Sequence, residues 1–355
     1  MKTRISDLPW DLVEDILSRV SITSRRHVGS TCKLWNTLPK DENFTKKHYG
    51  NNATKEFLIT MTCDYFFLMD ISLTGFNLHN IQDLSSMKEI CKMRCPVNIS
   101  KVVYHLCDGL LLLMTKDSLS LVVWNPYLVQ TKWIKPRNNY HKSDCYAIGY
   151  DKNKNYKIFR MFYDCRNEVR HEIYDFRYNS WRAIFPSFYH PRFSTRGVSL
   201  KGNTYFLFDK AKEGIVCFDF TSESLGEPLL LPFDDNGDVI LSCVGEEQLA
   251  LLLCRCRVRY EMEIWITVKV EPDAMWWSKF FKVDDIQLVR GSHFQSLFKV
   301  QSFFIDKEKK IAVVSGKDYT YFSREILIVV GEDGCFQEID TRDVFSYVPS
   351  LVKIQ

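Results

Sequence analysis

Four groups of side chains in this 355-residue chain could carry chemistry, and each has a spacing that can be set against what that chemistry needs. Asp234-Asp235-Asn236-Gly237-Asp238 has the oxygen density of a calcium loop, but such a loop closes with a bidentate carboxylate about five to six residues after its glycine. Leu241, Ser242 and Cys243 stand in that neighbourhood, so the segment reads as a solvated turn. Cys91 with Cys95, and Cys254 with Cys256, are the close cysteine pairs, and neither has the second pair or the histidines that complete a tetrahedral zinc site. The run from Cys254 to Glu263 alternates strictly, which would place Arg255, Arg257, Arg259, Glu261 and Glu263 on one face of a single strand. That face would be either solvated or a grip for an acidic partner segment. His105, His141, His171, His190 and His293 are isolated from one another, and no nucleophile elbow, His-Glu-x-x-His pair, phosphate loop or dinucleotide fingerprint occurs. The expectation is a chain without catalytic residues, metal or cofactor.

Composition narrows the partners. A net charge of +3 gives no clustered basic footprint for nucleic acid or for an anionic membrane. No apolar run approaches the ~20 residues needed to cross a bilayer, and Met1-Lys2-Thr3-Arg4 leads into an amphipathic segment rather than a signal core. Twelve scattered cysteines without a secretory signal fit reduced thiols, hence the cytoplasm and/or the nucleus.

Two kinds of element must carry whatever binding surface exists. From Ile5 to Leu38 the chain is helical in pattern: Leu8, Leu12, Val13, Ile16, Leu17 and Val20 recur on one helical face, opposite Asp11, Glu14 and Asp15. Pro9 suits a first helical turn. A cassette of about forty residues has more apolar surface than it can bury on itself, so the excess is expected to meet another surface.

From about Lys55 the texture is all-β, with short β-branched and aromatic runs between turn signals. Markers recur about 45 to 50 residues apart at Trp124-Asn125-Pro126, Tyr174-Asp175-Phe176, Phe218-Asp219-Phe220 and Ile264-Trp265-Ile266, the length of one four-stranded propeller blade. About six blades fit, kelch-like in repeat length, and the strand near Phe57 is expected to pair with the last strands to close the ring. Packed β-sheets are the alternative. Asn80–Ser100 reads as a loop excursion with a helical turn around Met87–Cys91.

The cassette resembles the F-box, on Leu8-Pro9, Leu12-Val13, Ile16-Leu17, Val20, Cys32-Lys33 and Trp35. The β region is similar to the associated interaction domain of plant F-box proteins. The words that carry this likeness include Cys107-Asp108-Gly109-Leu110, Trp124-Asn125-Pro126, Ile148-Gly149-Tyr150-Asp151, Asn155-Tyr156-Lys157-Ile158 and Gly197 through Tyr205. The resemblance implies an F-box at 1–47, a target-binding β domain at 48–355, and a non-catalytic substrate-recognition subunit of an SCF-type E3 ubiquitin ligase.

On that footing Leu8, Pro9, Leu12, Ile16, Leu17, Val20, Val28, Cys32 and Trp35 would bind the Skp-type adaptor and, through it, a cullin. Ser21, Arg25 and Gly29 depart from the family's pattern, Arg25 where a leucine is usual. One buried leucine is worth roughly 1.5–3 kcal/mol, so the alternative is a propeller scaffold whose degenerate F-box does not recruit the ligase. Aromatic, Arg and Pro residues crowd Phe185–Phe193, which is expected to be an exposed loop that binds the target through Tyr189, His190, Arg192 and Phe193.

Overall fold

The computed structural model describes residues 9, 12–13, 15–16, 57–61, 65–70, 88–95, 99–115, 117, 120–126, 128, 130–137, 144–185, 193–208, 214–234, 237–245, 247–256, 260–271, 274–284, 298–318, 324–332, 336–340, 344–347, 350 and 352–354. Within them lie β1 (Phe57–Met61), β2 (Tyr65–Asp70), β3 (Lys88–Arg94), β4 (Ile99–Cys107), β5 (Leu110–Thr115), β6 (Leu121–Asn125), β7 (Gln130–Ile134) and β8 (Cys145–Tyr150). Next come β9 (Tyr156–Tyr163), β10 (Val169–Asp175), β11 (Ser180–Ile184), β12 (Phe193–Leu200), β13 (Asn203–Phe208), β14 (Ile215–Asp219), β15 (Ser224–Leu225) and β16 (Asp238–Val244). The remainder are β17 (Gln248–Cys256), β18 (Tyr260–Glu271), β19 (Ala274–Val283), β20 (Phe298–Asp306), β21 (Ile311–Asp318), β22 (Arg324–Gly331), β23 (Phe336–Asp340) and β24 (Val344–Tyr347).

Among the described residues these strands form six four-stranded antiparallel sheets: β4–β7, β8–β11, β12–β15, β16–β19, β20–β23, and a closing sheet in the order β24-β1-β2-β3. The first strands pack in series, β4 on β8, β8 on β12, β12 on β16, β16 on β20 and β20 on β24, with β4 also reaching β12. First strands packed inward, with the fourth strands outermost, make a β-propeller rather than two packed sheets. The expected closure is made by β1, whose Phe57, Leu58, Ile59 and Thr60 lie opposite Tyr347, Ser346, Phe345 and Val344.

Position in the sheet explains the residues. Inner strands are covered on both faces by neighbouring sheets, so β5 (LLLLMT) and β6 (LVVWN) are buried throughout. Outer strands have a free edge, and in β7 exposed residues alternate with covered ones. All four sequence markers fall on third strands, β6, β10, β14 and β18, or on the residue that follows. Two hairpins between first and second strands close through Asp108-Gly109 and Lys201-Gly202, with φ of 44° and 69° and of 52° and 87°. Positive φ at both central residues matches the twist of the flanking strands.

Three sequence expectations need correction. Of Asn80–Ser100, read as a loop excursion with a helical turn, the described elements are strands instead: Lys88–Arg94 is an outer strand paired with β2, and β4 already begins at Ile99. A short mixed run satisfies helical and strand spacing alike, and pairing with β2 decides it. Arg255 through Glu263 is not one strand but parts of two, since β17 ends at Cys256 and β18 starts at Tyr260 with Arg255 opposite Glu261. Phe193 does not belong to a loop; it opens β12, opposite Phe208.

Candidate functional site

Of the residues expected to meet an adaptor, Pro9, Leu12 and Ile16 are described; Leu8, Leu17, Val20, Val28, Cys32 and Trp35 lie outside the described residues. The backbone is helical at Leu12, Val13, Asp15 and Ile16, and the Pro9 carbonyl accepts from the N–H groups of Leu12 and Val13, both at 3.1 Å. A proline opening a helix loses no intrahelical bond, because first-turn N–H groups have no partner within the helix. Val13 is 1% exposed while Leu12 is 45% exposed, with Ile16 half-buried. One apolar side chain is thus packed inward and another, on a different side of the same turn, faces out.

On the propeller, Tyr189, His190 and Arg192 lie outside the described residues; Phe185, at the start of their segment, is 93% exposed. Of the eight histidines, His105 and His171 are buried, and the other six, His141, His190 and His293 among them, lie outside the described residues. The Ile148 N–H points to His105 Nδ1 at 3.4 Å, and burial lowers the imidazole's pKa to about 3, leaving it neutral and able to accept. His171 stacks on Phe159.

Family-like words that read as separate turns converge on two adjoining junctions. Tyr156, at the start of β9, donates its hydroxyl to Asp108 Oδ2 at 2.8 Å, and Lys154 Nζ lies 3.3 Å from the same oxygen. Lys154 also sits 3.5 Å above the Tyr150 ring. Burial, then the Asp108 charge, pushes the Tyr156 phenol up, and the same two causes push the Cys107 thiol up. Both therefore stay protonated, as does Cys217, pushed up to about 12 mainly by burial. No nucleophile or general base is poised among these groups.

The second junction joins sheet β8–β11 to sheet β12–β15. Lys157, 4% exposed, donates to the Phe220 carbonyl and to Glu223, both at 2.9 Å, and lies 3.6 Å from Asp151. Arg182 pairs with the other oxygen of Glu223. Burial raises the Asp151 and Glu223 carboxyls, but hydrogen bonds from Asn155 and Asn153 to the first, and from Arg182 and Lys157 to the second, hold both below the ordinary carboxylate range. The Tyr150 N–H donates to the Gly202 carbonyl at 3.0 Å. A Cβ on Gly149 would stand 2.3 Å from that carbonyl oxygen and 2.3 Å from the Phe220 ring, so only glycine permits the approach.

Inside sheet β8–β11 a buried cation bridges two carboxylates. Arg160 donates through Nε and Nη2 to Asp144 at 2.9 and 2.6 Å and through Nη1 to Glu172 at 2.7 Å; Tyr146 adds its hydroxyl to Asp144 at 2.9 Å. Arg255, weighed from sequence as a grip for an acidic segment, is committed within the molecule: it bonds Glu263 at 2.6 Å, which Lys279 also approaches at 3.0 Å. Burial raises the Glu263 carboxyl, and these two cations outweigh it. Arg257 and Arg259 lie outside the described residues. None of these ionic partners was predicted, because they come from strands or turns that the sequence separates; Lys157 and Glu223 are 66 residues apart.

Residues 5–47 match the F-box domain and residues 56–354 match the F-box associated beta propeller domain. The chain belongs to the F-box proteins with an associated β-propeller. Among its relatives in Arabidopsis thaliana, F-box protein At5g42460 is 41% identical, covering 99% of this chain and 99% of its own length. F-box/kelch-repeat protein At3g16740 is 40% identical over 99% of this chain and 100% of its own length. Putative F-box protein At5g51000 is 44% identical over 95% of this chain and 91% of its own. In this F-box protein, then, Asp108, Gly149, Tyr150, Tyr156, Lys157 and Gly202 of the quoted words make contacts that set one blade against the next.

Proposed function

We propose that this F-box protein is the substrate-recognition subunit of an SCF-type E3 ubiquitin ligase, with the F-box at 1–47 docking on a Skp-type adaptor and through it a cullin. The β domain at 48–355, read as a propeller of six kelch-like blades, holds a target protein. The observation that carries this reading is the order of the two family matches on one chain, 5–47 then 56–354. The outward Leu12 of the Pro9 turn supports it. The contribution is non-catalytic: a bound target is brought beside the ligase's conjugating enzyme, and effective concentration replaces chemistry in this chain. We place that activity in the cytoplasm or nucleus, with neither nucleic acid nor membrane as partner.

Co-purification of the full chain with the adaptor tests the docking surface. Binding is expected to be lost on Leu8→Ala with Pro9→Ala and to strengthen on Arg25→Leu, by about one to two decades in Kd if the leucine is buried. Unchanged binding in both variants would overturn this surface. The departures at Ser21, Arg25 and Gly29 favour a second reading, a propeller scaffold that holds its target without recruiting the ligase. Failure of the unaltered chain to bind any Skp-type adaptor at micromolar concentration would select it.

A further inference from the structure

We propose that Ser350, Val352 and Ile354 form a clasp that holds the propeller shut at its closing sheet, β24-β1-β2-β3. That sheet gains its fourth strand only because β24 joins β1, through four residue pairs between opposite ends of the described propeller. So short a ladder closing so long a loop has little of its own to offset the closure entropy.

Ser350, Val352 and Ile354, beyond β24 in sequence, are held on the neighbouring sheet β4–β7 by two side chains. Asn125 Nδ2 donates to the carbonyls of Ser350 at 3.1 Å and Val352 at 2.8 Å, while its Oδ1 accepts the Leu128 N–H at 3.1 Å. Gln130 Oε1 accepts the Ile354 N–H at 3.0 Å. Val352 and Ile354 pack against the apolar core shared by sheets β4–β7 and β8–β11. Asn125 is fully buried, so its amide is committed to the segment and the Leu128 turn with no water to replace either.

The residue before it completes the junction from the other side. Trp124 meets Phe66 of β2 edge-on at 5.0 Å, and Phe66 meets Tyr347 of β24 at 6.1 Å. Trp124-Asn125 therefore grips the closing sheet through its rings and the following segment through its amide. The F-box match ends at residue 47 and β1 begins at Phe57, so the strand that the clasp secures is the one that follows the F-box in sequence.

Residue-resolved hydrogen exchange on the full chain tests this. In Val352→Ser with Ile354→Ser, amides of β1 and β24 are expected to exchange about tenfold faster or more, with β17 and β18 unchanged, because opening is local. Gln130→Ala should produce the same pattern more weakly. Unaltered exchange in β1 and β24, or an equal rise in β17 and β18, overturns the proposal. Asn125→Ala is the harsher variant, since it strands a buried N–H; the segment-side substitutions leave Asn125 in place and keep the question answerable if that variant does not fold. Exchange is read without any adaptor, so its outcome is independent of what the F-box binds.

Discussion

Two junctions of the same propeller are joined in opposite ways. Between sheets β16–β19 and β20–β23 the contact is mainly an apolar slab, with Leu252, Ile264, Phe281, Phe303, Val314 and Ile328 among its buried members, and Ser242 adds a hydrogen bond to the Phe303 carbonyl at 2.7 Å. Between sheets β8–β11 and β12–β15 an apolar patch around Phe159 and Phe218 is supplemented by Lys157, Asp151, Glu223 and the Gly149–Gly202 approach. Apolar packing is cohesive but tolerant of small slips. A buried lysine facing two carboxylates and a carbonyl has one arrangement that satisfies it, and so fixes how the two blades lie. The family-like words sit at the second kind of junction.

The sharpest way to break this contrast is Lys157→Met. Removing the cation leaves Asp151 and Glu223 without their shared partner, and the expected loss is about 3–5 kcal/mol at pH 7, measured by denaturant unfolding. The carboxyls have folded pKa values below their unfolded ones, so the stability they contribute is present above the unfolded value, about 4, and is lost as pH falls through the folded values. The penalty of Lys157→Met should accordingly shrink in acid. A loss that does not vary with pH would show that the lysine acts by filling space. Gly149→Ala comes next, at about 1–3 kcal/mol, since its Cβ meets backbone that cannot move aside. In the apolar slab, Ile328→Val should cost only about 0.5–1.5 kcal/mol and the same amount at pH 7 as in acid. If Ile328→Val matched Lys157→Met, the two junctions would not differ as described.

The same contrast separates what the sequence revealed from what it hid. Third strands were legible because burial on both faces writes a continuous apolar run that ends in an aromatic and a polar turn, as at Leu121–Asn125. Lys88–Arg94 was not, because its seven residues mix charged and apolar types in an order that fits two periodicities. The residues between β17 and β18, Arg257-Val258-Arg259, include no glycine, proline or asparagine, so the alternation of Arg255 through Glu263 runs across them unbroken in the sequence. Lys157 gave no signal at all: a lysine near the start of a strand looks solvent-facing until Glu223 arrives from another sheet. Asn125 could be read as a turn former, but not as the anchor for Val352. The adaptor-docking residues proposed for the cassette were named because the resemblance to the F-box is carried by a contiguous local stretch, whereas a recognition surface assembled from loops of several blades leaves no local trace.

The pairing of Ile59 with Phe345 also sets a schedule. A ribosome adding about 5–20 residues per second needs roughly 15 to 60 seconds to travel from one to the other. Throughout that interval β1 has an unsatisfied edge while the blades behind it can already be folding. The newborn chain therefore carries an open strand throughout that interval, a template for pairing with other chains, and its ring can close only once β24 has emerged.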